Sequence, residues 1–230
     1  NSEFNEITIQ ATLNGNNYLG GLTGDSDNSE INSVVSVTQI YGHSAIGGLV
    51  GNSTHSTIQD ILLSGTVTPG LGITRYARGG SLTGSVNDSD VSNVISLVRL
   101  PADPEERHFI GALIGSANDS QISNTYWASD LTLRERMYSR ATTVGISQRY
   151  ELIDFQCASQ SENCNGLQFD EFDNLENMNQ QDLWEFGENN EAPIMRLVMG
   201  DFGDTNVDGQ TDSRPVIEGP TTINNPEPTT

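Results

Sequence analysis

Between Gly203 and Pro215 side-chain oxygens recur at every second position: Asp204, Asn206, Asp208, Gln210 and Asp212. In a tight turn such alternate side chains converge on one point, and Gly209 supplies the reversal of the chain. Hard divalent cations prefer several carboxylate and carbonyl oxygens. The spacing therefore predicts a calcium-type loop over 201–214, binding at the weak extracellular end of about 10⁻⁴–10⁻³ M. Pro215 stands where a full twelve-residue calcium loop ends in a bidentate Glu, which leaves a half-loop. A bare acidic turn is the competing reading of the same residues.

Redox and nucleophilic chemistry find less support. Cys157 and Cys164 bound the polar stretch CASQSENC, a spacing that is neither C-x-x-C nor C-x-x-C-H, and the chain has only 3 His to complete a zinc site. A structural disulfide across this short loop fits an oxidising compartment, with free thiols as the alternative. His43, His55 and His108 read as surface residues of turns and loops; GHSAIG at 42–47 is not the G-x-S-x-G of a hydrolase elbow. Neither H-E-x-x-H nor a phosphate-binding Gly loop is present. Asn52, Asn87 and Asn118 each begin N-x-[ST] but recur with a repeated turn, so they read as turn residues. The run DEFDNLE reads as solvated acidic surface rather than paired catalytic carboxylates.

The elements that carry these residues are set by an internal repeat. Four segments align without gaps: GGLTGDSDNSEINSV from Gly20, GGLVGNSTHSTIQDI from Gly47, GSLTGSVNDSDVSNV from Gly80 and GALIGSANDSQISNT from Gly111. Anchored on Gly24, Gly51, Gly84 and Gly115, one column holds Leu22, Leu49, Leu82 and Leu113. Another holds Ser29, Ser56, Ser89 and Ser120, and a third holds Ile31, Ile58, Val91 and Ile122. In G-x-L-x-G the central Leu points inward while the flanking glycines permit tight bends, and the apolar runs after the Ser read as longer strands. One such unit cannot bury its Leu and Ile alone, whereas stacked units can, so the pattern predicts a β-solenoid. The denser Leu pattern of a leucine-rich repeat is missing, and a propeller blade would need more strands than each unit holds.

Variation in repeat length falls in the return segments 41–46, 68–79 and 101–110, which project from one face of a solenoid. They concentrate Tyr41, Arg75, Tyr76, Arg78, Arg107 and His108, cationic and aromatic side chains on a chain of net charge −21. That balance, with ten Arg and no Lys, excludes a general nucleic-acid binder, and no apolar run is long enough to span a bilayer. If a partner binds, these side chains are where it docks; packing against the cap or a neighbouring subunit is the plainer alternative. The first residue, Asn1, leads to the expectation of a processed product or a piece of a longer polypeptide.

G-[GSA]-L-[TVI]-G followed by S-x-[IV] resembles the GLUG motif of bacterial secreted and cell-surface proteins, over about residues 6–127. NTYWASD and DLWEFGENNEAPIMRL are similar to the segments that close such arrays. Ser81 and Ala112 depart at the second Gly column and Thr125 at the last apolar column. The resemblance implies β-solenoid rungs within adhesins and within the non-catalytic parts of immunoglobulin A peptidase-like surface proteins. The expected chain is all-β: a solenoid of about four GLUG-type rungs over 1–127, an irregular C-terminal cap over 128–200, the calcium-type loop over 201–214 and a Pro/Thr-rich linker over 215–230. In the cap, Trp184, Phe186, Ile194, Met195 and Leu197 are the expected packing anchors.

The implied function is a non-enzymatic extracellular adhesion or spacer module at a bacterial surface, with calcium as its cofactor. Its partners would be neighbouring domains or subunits, or a cell-surface protein or glycan. An alternative from another class is a β-helical protein that binds or cleaves polysaccharide, with Arg75, Arg78 and Arg107 neutralising uronates and Tyr41 and Tyr76 stacking on sugar rings.

The calcium assignment has a direct check. Calorimetric titration with calcium is expected to give saturable heat for the wild type and none for the Asp204→Ala, Asp208→Ala double variant; equal heats in the two remove the site.

Overall fold

The computed structural model describes residues 2–70, 77–101, 109–129, 131 and 147–150, and the backbone of 184–185 and 194–195. Strand β1 (Ser2–Asn14) is followed by β2 (Asn17–Gly20), β3 (Thr23–Asp27) and β4 (Ser29–Gly42), which make the first complete coil. The second coil holds β5 (Ser44–Gly47), β6 (Val50–Thr54) and β7 (Thr57–Pro69), and the third β8 (Arg78–Gly80), β9 (Thr83–Asn87) and β10 (Asp90–Arg99). The fourth consists of β11 (Phe109–Ile110), β12 (Ile114–Asn118) and β13 (Gln121–Ala128), after which β14 (Ser147–Tyr150) adds one more strand. Pairing between coils is parallel in three sheets. A long sheet runs β1-β4-β7-β10-β13-β14, and two four-stranded short sheets run β11-β8-β5-β2 and β12-β9-β6-β3. At a strand spacing of about 4.8 Å, the six strands of the long sheet span about 24 Å. The fold is a β-solenoid of four coils, as the repeat predicts.

Both apolar columns face the interior. Leu49, Leu82 and Leu113 are fully buried, as are Ile31 and Ile58, and Val91 and Ile122 are at 1% exposure. Leu22, in the first coil, is only half-buried. Val34, Ile61, Val94 and Thr125 form the next column at 0% exposure, so Thr125 keeps its place inside despite its hydroxyl. In register along the ladder, Ile31 pairs with Ile58, Ile58 with Val91 and Val91 with Ile122, and each coil covers the apolar side chains of the last.

Two features differ from the sequence reading. The G-x-L-x-G segment is a corner joining two short strands rather than one short side, with Gly21–Leu22, Gly48–Leu49, Ser81–Leu82 and Ala112–Leu113 at the bend. Space, rather than a left-handed backbone, is what the glycines provide there. A Cβ at Gly51 would stand 2.4 Å from Gly24 O and 2.7 Å from Ala45 O, and one at Gly115 2.6 Å from Phe109 O. The two short strands lie back to back with no room for a side chain between them. The segment 41–46, read as a return loop, is nearly all strand: β4 runs through Gly42 and β5 starts at Ser44, with His43 alone at the corner.

Left-handed residues make the other corners. Asn28, His55, Asp88 and Asp119 have φ of 46–48° and turn the second short strand into the long one. Ser33, Asp60, Asn93 and Asn124, five residues later, and Glu6 in β1, with φ of 50–56°, kink the long strands. Asn and Asp tolerate this conformation best, which accounts for much of their abundance here. The third such column, Tyr18 and Ala45, stops at the coil where the segment between Gly70 and Ala77 enters.

Within the region expected to cap the solenoid, β14 continues the long sheet, with Thr125 opposite Ser147 and Ala128 opposite Tyr150. Trp184–Glu185 pairs antiparallel with Ile194–Met195. Phe186, Leu197 and the remainder of the expected cap lie outside the described residues, as does the linker.

A cavity at a central Leu cannot collapse while the coils on both sides hold their backbones in register. Leu82→Ala is therefore expected to lower stability by about 2–5 kcal/mol, and Leu22→Ala by clearly less because that side chain is already half-buried. Chemical denaturation of the two variants measures the difference, and equal losses contradict the stacked interior.

Candidate functional site

Of the side chains expected to contact a partner, Tyr41 and Arg78 lie among the described residues. Tyr41, next to last in β4, is at 45% exposure, with its ring edge-on to His43 at 6.0 Å and 80°. Arg78 opens β8, exposed, opposite Phe109. Both stand where a long strand gives way to a first short strand, so they share one edge of the solenoid on different coils. His43 shares that edge: a Cβ at Gly70 would come within 2.9 Å of its ring. Arg75, Tyr76, Arg107 and His108 lie outside the described residues, as do the calcium-type set Asp204, Asn206, Asp208, Gln210 and Asp212 and the pair Cys157 and Cys164.

The polar columns do more than the repeat alone suggests. The backbone N–H of Ser29 donates to Ser56 Oγ at 3.1 Å, that of Ser56 to Ser89 Oγ at 3.0 Å, and that of Ser89 to Ser120 Oγ at 3.2 Å. Each of these four hydroxyls in turn donates to the carbonyl two residues before it, at 2.7–3.0 Å. The corner displaces the N–H from the backbone ladder, and a Ser oxygen from the next coil replaces the lost acceptor. That requirement explains the fixed Ser, because only a short hydroxyl both accepts and donates within this space. A parallel amide ladder runs from Asn124 Nδ2 to Asn93 Oδ1 at 3.2 Å, and from Asn93 Nδ2 to Asp60 Oδ1 at 3.0 Å. The amide nitrogens of Asn52 and Asn118 likewise donate to Asp25 and Asn87 one coil away, at 2.7 and 2.8 Å.

Buried hydroxyls also line the inside of the long sheet. Ser36 and Thr38 both donate to Gly48 O, at 2.9 and 3.2 Å, and Ser96 donates to Ser81 Oγ at 2.7 Å. Ser81 thus replaces a glycine of the repeat where it can meet a hydroxyl partner.

One charged cluster emerges that the sequence reading passed over as a surface His. His55 sits on the left-handed corner of the second coil, with Nδ1 3.2 Å from Asp27 Oδ1 in the first coil and Nε2 3.8 Å from Asp88 Oδ2 in the third. The in-register column 28, 55, 88 and 119 is the signal that places it between two carboxylates. All three side chains are more than half exposed. Beside them an open depression of about 510 Å³ is lined by Ser2, Glu3, Asn28, Ser29, Glu30 and His55. A hydrogen bond from His55, with a further one from Asn28, holds the Asp27 carboxyl below the usual carboxylate range. No set of three or more His, Cys, Asp and Glu converges as a metal site among the described residues. The arrangement ties three coils together at a corner, and its accessible chemistry is that of an acidic, hydrogen-bonding surface.

Compared with family models, with curated proteins and with solved structures, the chain matches none.

A lowered carboxylate pKa in the folded chain stabilises it fully above the ordinary Asp range, and that contribution disappears as the pH falls through the lowered value. His55→Ala is expected to move the Asp27 titration, followed by NMR of the carboxyl carbon, upward toward the usual range; an unchanged midpoint shows that His55 does not hold it.

Proposed function

We propose that the chain is a non-enzymatic extracellular module of the GLUG-type repeat class, part of a bacterial surface adhesin or appendage, serving as a rigid spacer and a contact surface. The observation that carries this reading is the unbroken stack: four coils joined in three parallel sheets, with apolar, Ser and amide columns running through them. In such a quasi-one-dimensional stack each coil is fixed to its neighbours, so length is gained without hinges. The absence of Lys and the acidic balance suit solubility in a saline exterior. Calcium at the 201–214 loop and a bridge between Cys157 and Cys164 belong to the same proposal. The contact side is the edge carrying Tyr41 and Arg78, together with Arg75, Tyr76, Arg107 and His108 of the inserted segments.

Replacing 71–76 by a Gly-Ser segment leaves β7 and β8 intact and removes two of these side chains. Adhesion to immobilised glycans or cells, or self-association by sedimentation, is expected to fall in this variant while the far-ultraviolet spectrum stays that of the wild type. Unchanged behaviour in both assays rejects the edge as a contact site. Release of new reducing ends or unsaturated products from polysaccharide by the intact module rejects the non-enzymatic reading.

A further inference from the structure

Beyond the kink the long sheet changes character on its outer side. Val35, Leu62 and Ile95 are buried there, but farther along the strands the outward positions turn polar and open to solvent. Gln10 is in register with Val37 and Ser64, Thr12 with Gln39, Thr66 and Arg99, and Asn14 with Tyr41 and Thr68. The result is a grid of mainly hydroxyl and amide side chains, about 4.8 Å apart across the strands and about 7 Å apart along them. On the opposite edge of the coil such groups are tied to one another, Asn52 to Asp25, Asn118 to Asn87 and Asn93 to Asp60. The side chains of Thr12, Gln39, Thr66, Thr68 and Arg99 make no hydrogen bond or ion pair with any described residue. A depression of about 190 Å³ opens in the grid among Gln10, Thr12, Val37, Gln39 and Gly65. Gly65 has φ of 105°, and a Cβ there would collide with the backbone of Thr38. The depression lies on the face of the sheet, so strands added beyond either end of the stack leave it open.

Charge is segregated around the coil in the same sense. In the four coils every described carboxylate lies between the second short strand and the kink of the long strand, as Asp25, Asp27 and Glu30 do in the first and Asp88 and Asp90 in the third. The described guanidiniums of these coils, Arg78 and Arg99, both lie past the kink. From the kink at Asp60 to Thr66, the register partner of Arg99, the strand covers about 20 Å. That is more than twice the Debye length of about 8 Å at physiological salt. An anion on the grid meets Arg99 and is screened from the acidic edge.

We propose that this outer face binds an extended glycan carrying carboxylates, with one sugar seated in the depression beside Gln39 and the chain running across the strands to Arg99. The proposal rests on the reading of the module as a contact surface and gives that surface a partner class. Gln and Thr side chains both donate and accept hydrogen bonds, as sugar hydroxyls do. The planar guanidinium of Arg99 matches a carboxylate as a fork. Tyr41, one grid step from Gln39 and 45% exposed, offers its ring to the apolar face of a sugar. The depression is smaller than the about 300–1,000 Å³ that encloses a whole small ligand, which suits one residue of a longer chain. An acidic peptide fits less well, because it docks by adding to an open sheet edge, and the strands under this face are already paired on both sides from β4 to β10.

The test titrates the whole chain with oligogalacturonate and with oligoglucuronate, each long enough to cross the strands from β1 to β10, and with the same oligomers after reduction of their carboxyls to alcohols. Calorimetry is expected to show saturable binding of at least one acidic oligomer, weakened at least about tenfold by carboxyl reduction or by Arg99→Gln, the loss of one charge-assisted contact. Thr66→Val keeps the shape of the side chain, removes its hydroxyl and is expected to weaken binding severalfold. Amide shifts on binding are expected at 10–12, 37–41 and 64–68. No saturation by either acidic oligomer up to about 1 mM, equal affinity for the reduced oligomers, or wild-type affinity in either folded variant overturns the proposal. So does an oligo-Glu peptide that shifts the same amides as strongly, and so does sedimentation showing that the free chain dimerises through this face. Replacing 71–76 leaves the grid intact, so lost adhesion with oligosaccharide binding retained, or the reverse, tells which of the two readings has failed.

Discussion

The backbone of one short strand touches the backbone of the other, and the rest of each coil follows from that contact. With no space for a side chain where they touch, the short strands reach the core through the corner Leu and through Ile46, Val50, Val86, Ile110 and Ile114. The remaining volume must be filled from the long strand, whose Val34, Ile40, Ile61, Leu63, Val67, Val94 and Val98 join the Leu column in one continuous core. Because that core is shared between coils, removing a glycine would cost more than one contact. A Cβ at Gly84 would meet Ala45 Cα at 2.5 Å in the coil before, so the misfit would spread along the stack.

Corners interrupt the backbone ladder, and polar side chains repair it. A left-handed residue turns its N–H or carbonyl away from the neighbouring strand, and an unpaired buried group is expensive. The Ser relay supplies partners for the corner N–H groups, and the amide ladder links the kinks side chain to side chain, with geometry fixed by the same register that aligns the apolar columns. Register also has a disadvantage: identical charges stack. Asp88 and Asp119 occupy one corner column, Asp27 lies near it, and the chain as a whole carries −21. His55 breaks the run by placing a hydrogen-bonding ring between Asp27 and Asp88, and dissolved salt screens what remains.

The columns of Leu, Ile and Ser were legible because a stacked fold writes the same environment into the sequence once per coil. Less legible was why each column exists. Gly51 and Gly84 look like bend-formers, yet Gly65 is the described glycine with a positive φ, 105°; it lies outside the motif, opposite Thr38 in the long sheet. Close approach of two backbones is a property of the folded pair of strands, and one-dimensional spacing does not reveal it. The left-handed kink at Ser33, Asp60, Asn93 and Asn124 was hidden for a related reason, since Ser, Asp and Asn are common throughout the polar stretches and only the shared register singles these out. His55 was legible as a surface residue but not as a clasp, because its partners are 28 and 33 positions away in the chain. Of the contact set, Tyr41 and Arg78 fall on one edge, as a shared position in the repeat implies.

The stack also has a direction. On the outer side of the long sheet Val35, Leu62, Ile95 and Tyr126 are successive register partners, at 9%, 4%, 0% and 0% exposure, and Thr8 before them is exposed. These residues alternate with the core column Val34, Ile61, Val94 and Thr125, so they face away from the interior and are covered nonetheless. Tyr150 accounts for part of this by stacking on Tyr126 at 6.3 Å and 30°. Cover therefore increases from the first coil to the last on the outside, just as burial of the Leu column increases from Leu22 to Leu113 on the inside. In a nearest-neighbour stack the stability of a coil is the sum of its own terms and its interfaces. Among the described residues the long strands of the first and fourth coils are both flanked on two sides, by β1 and β7 and by β10 and β14, so the difference between them lies in side-chain cover: the outer apolar layer is complete over the fourth and partial over the first.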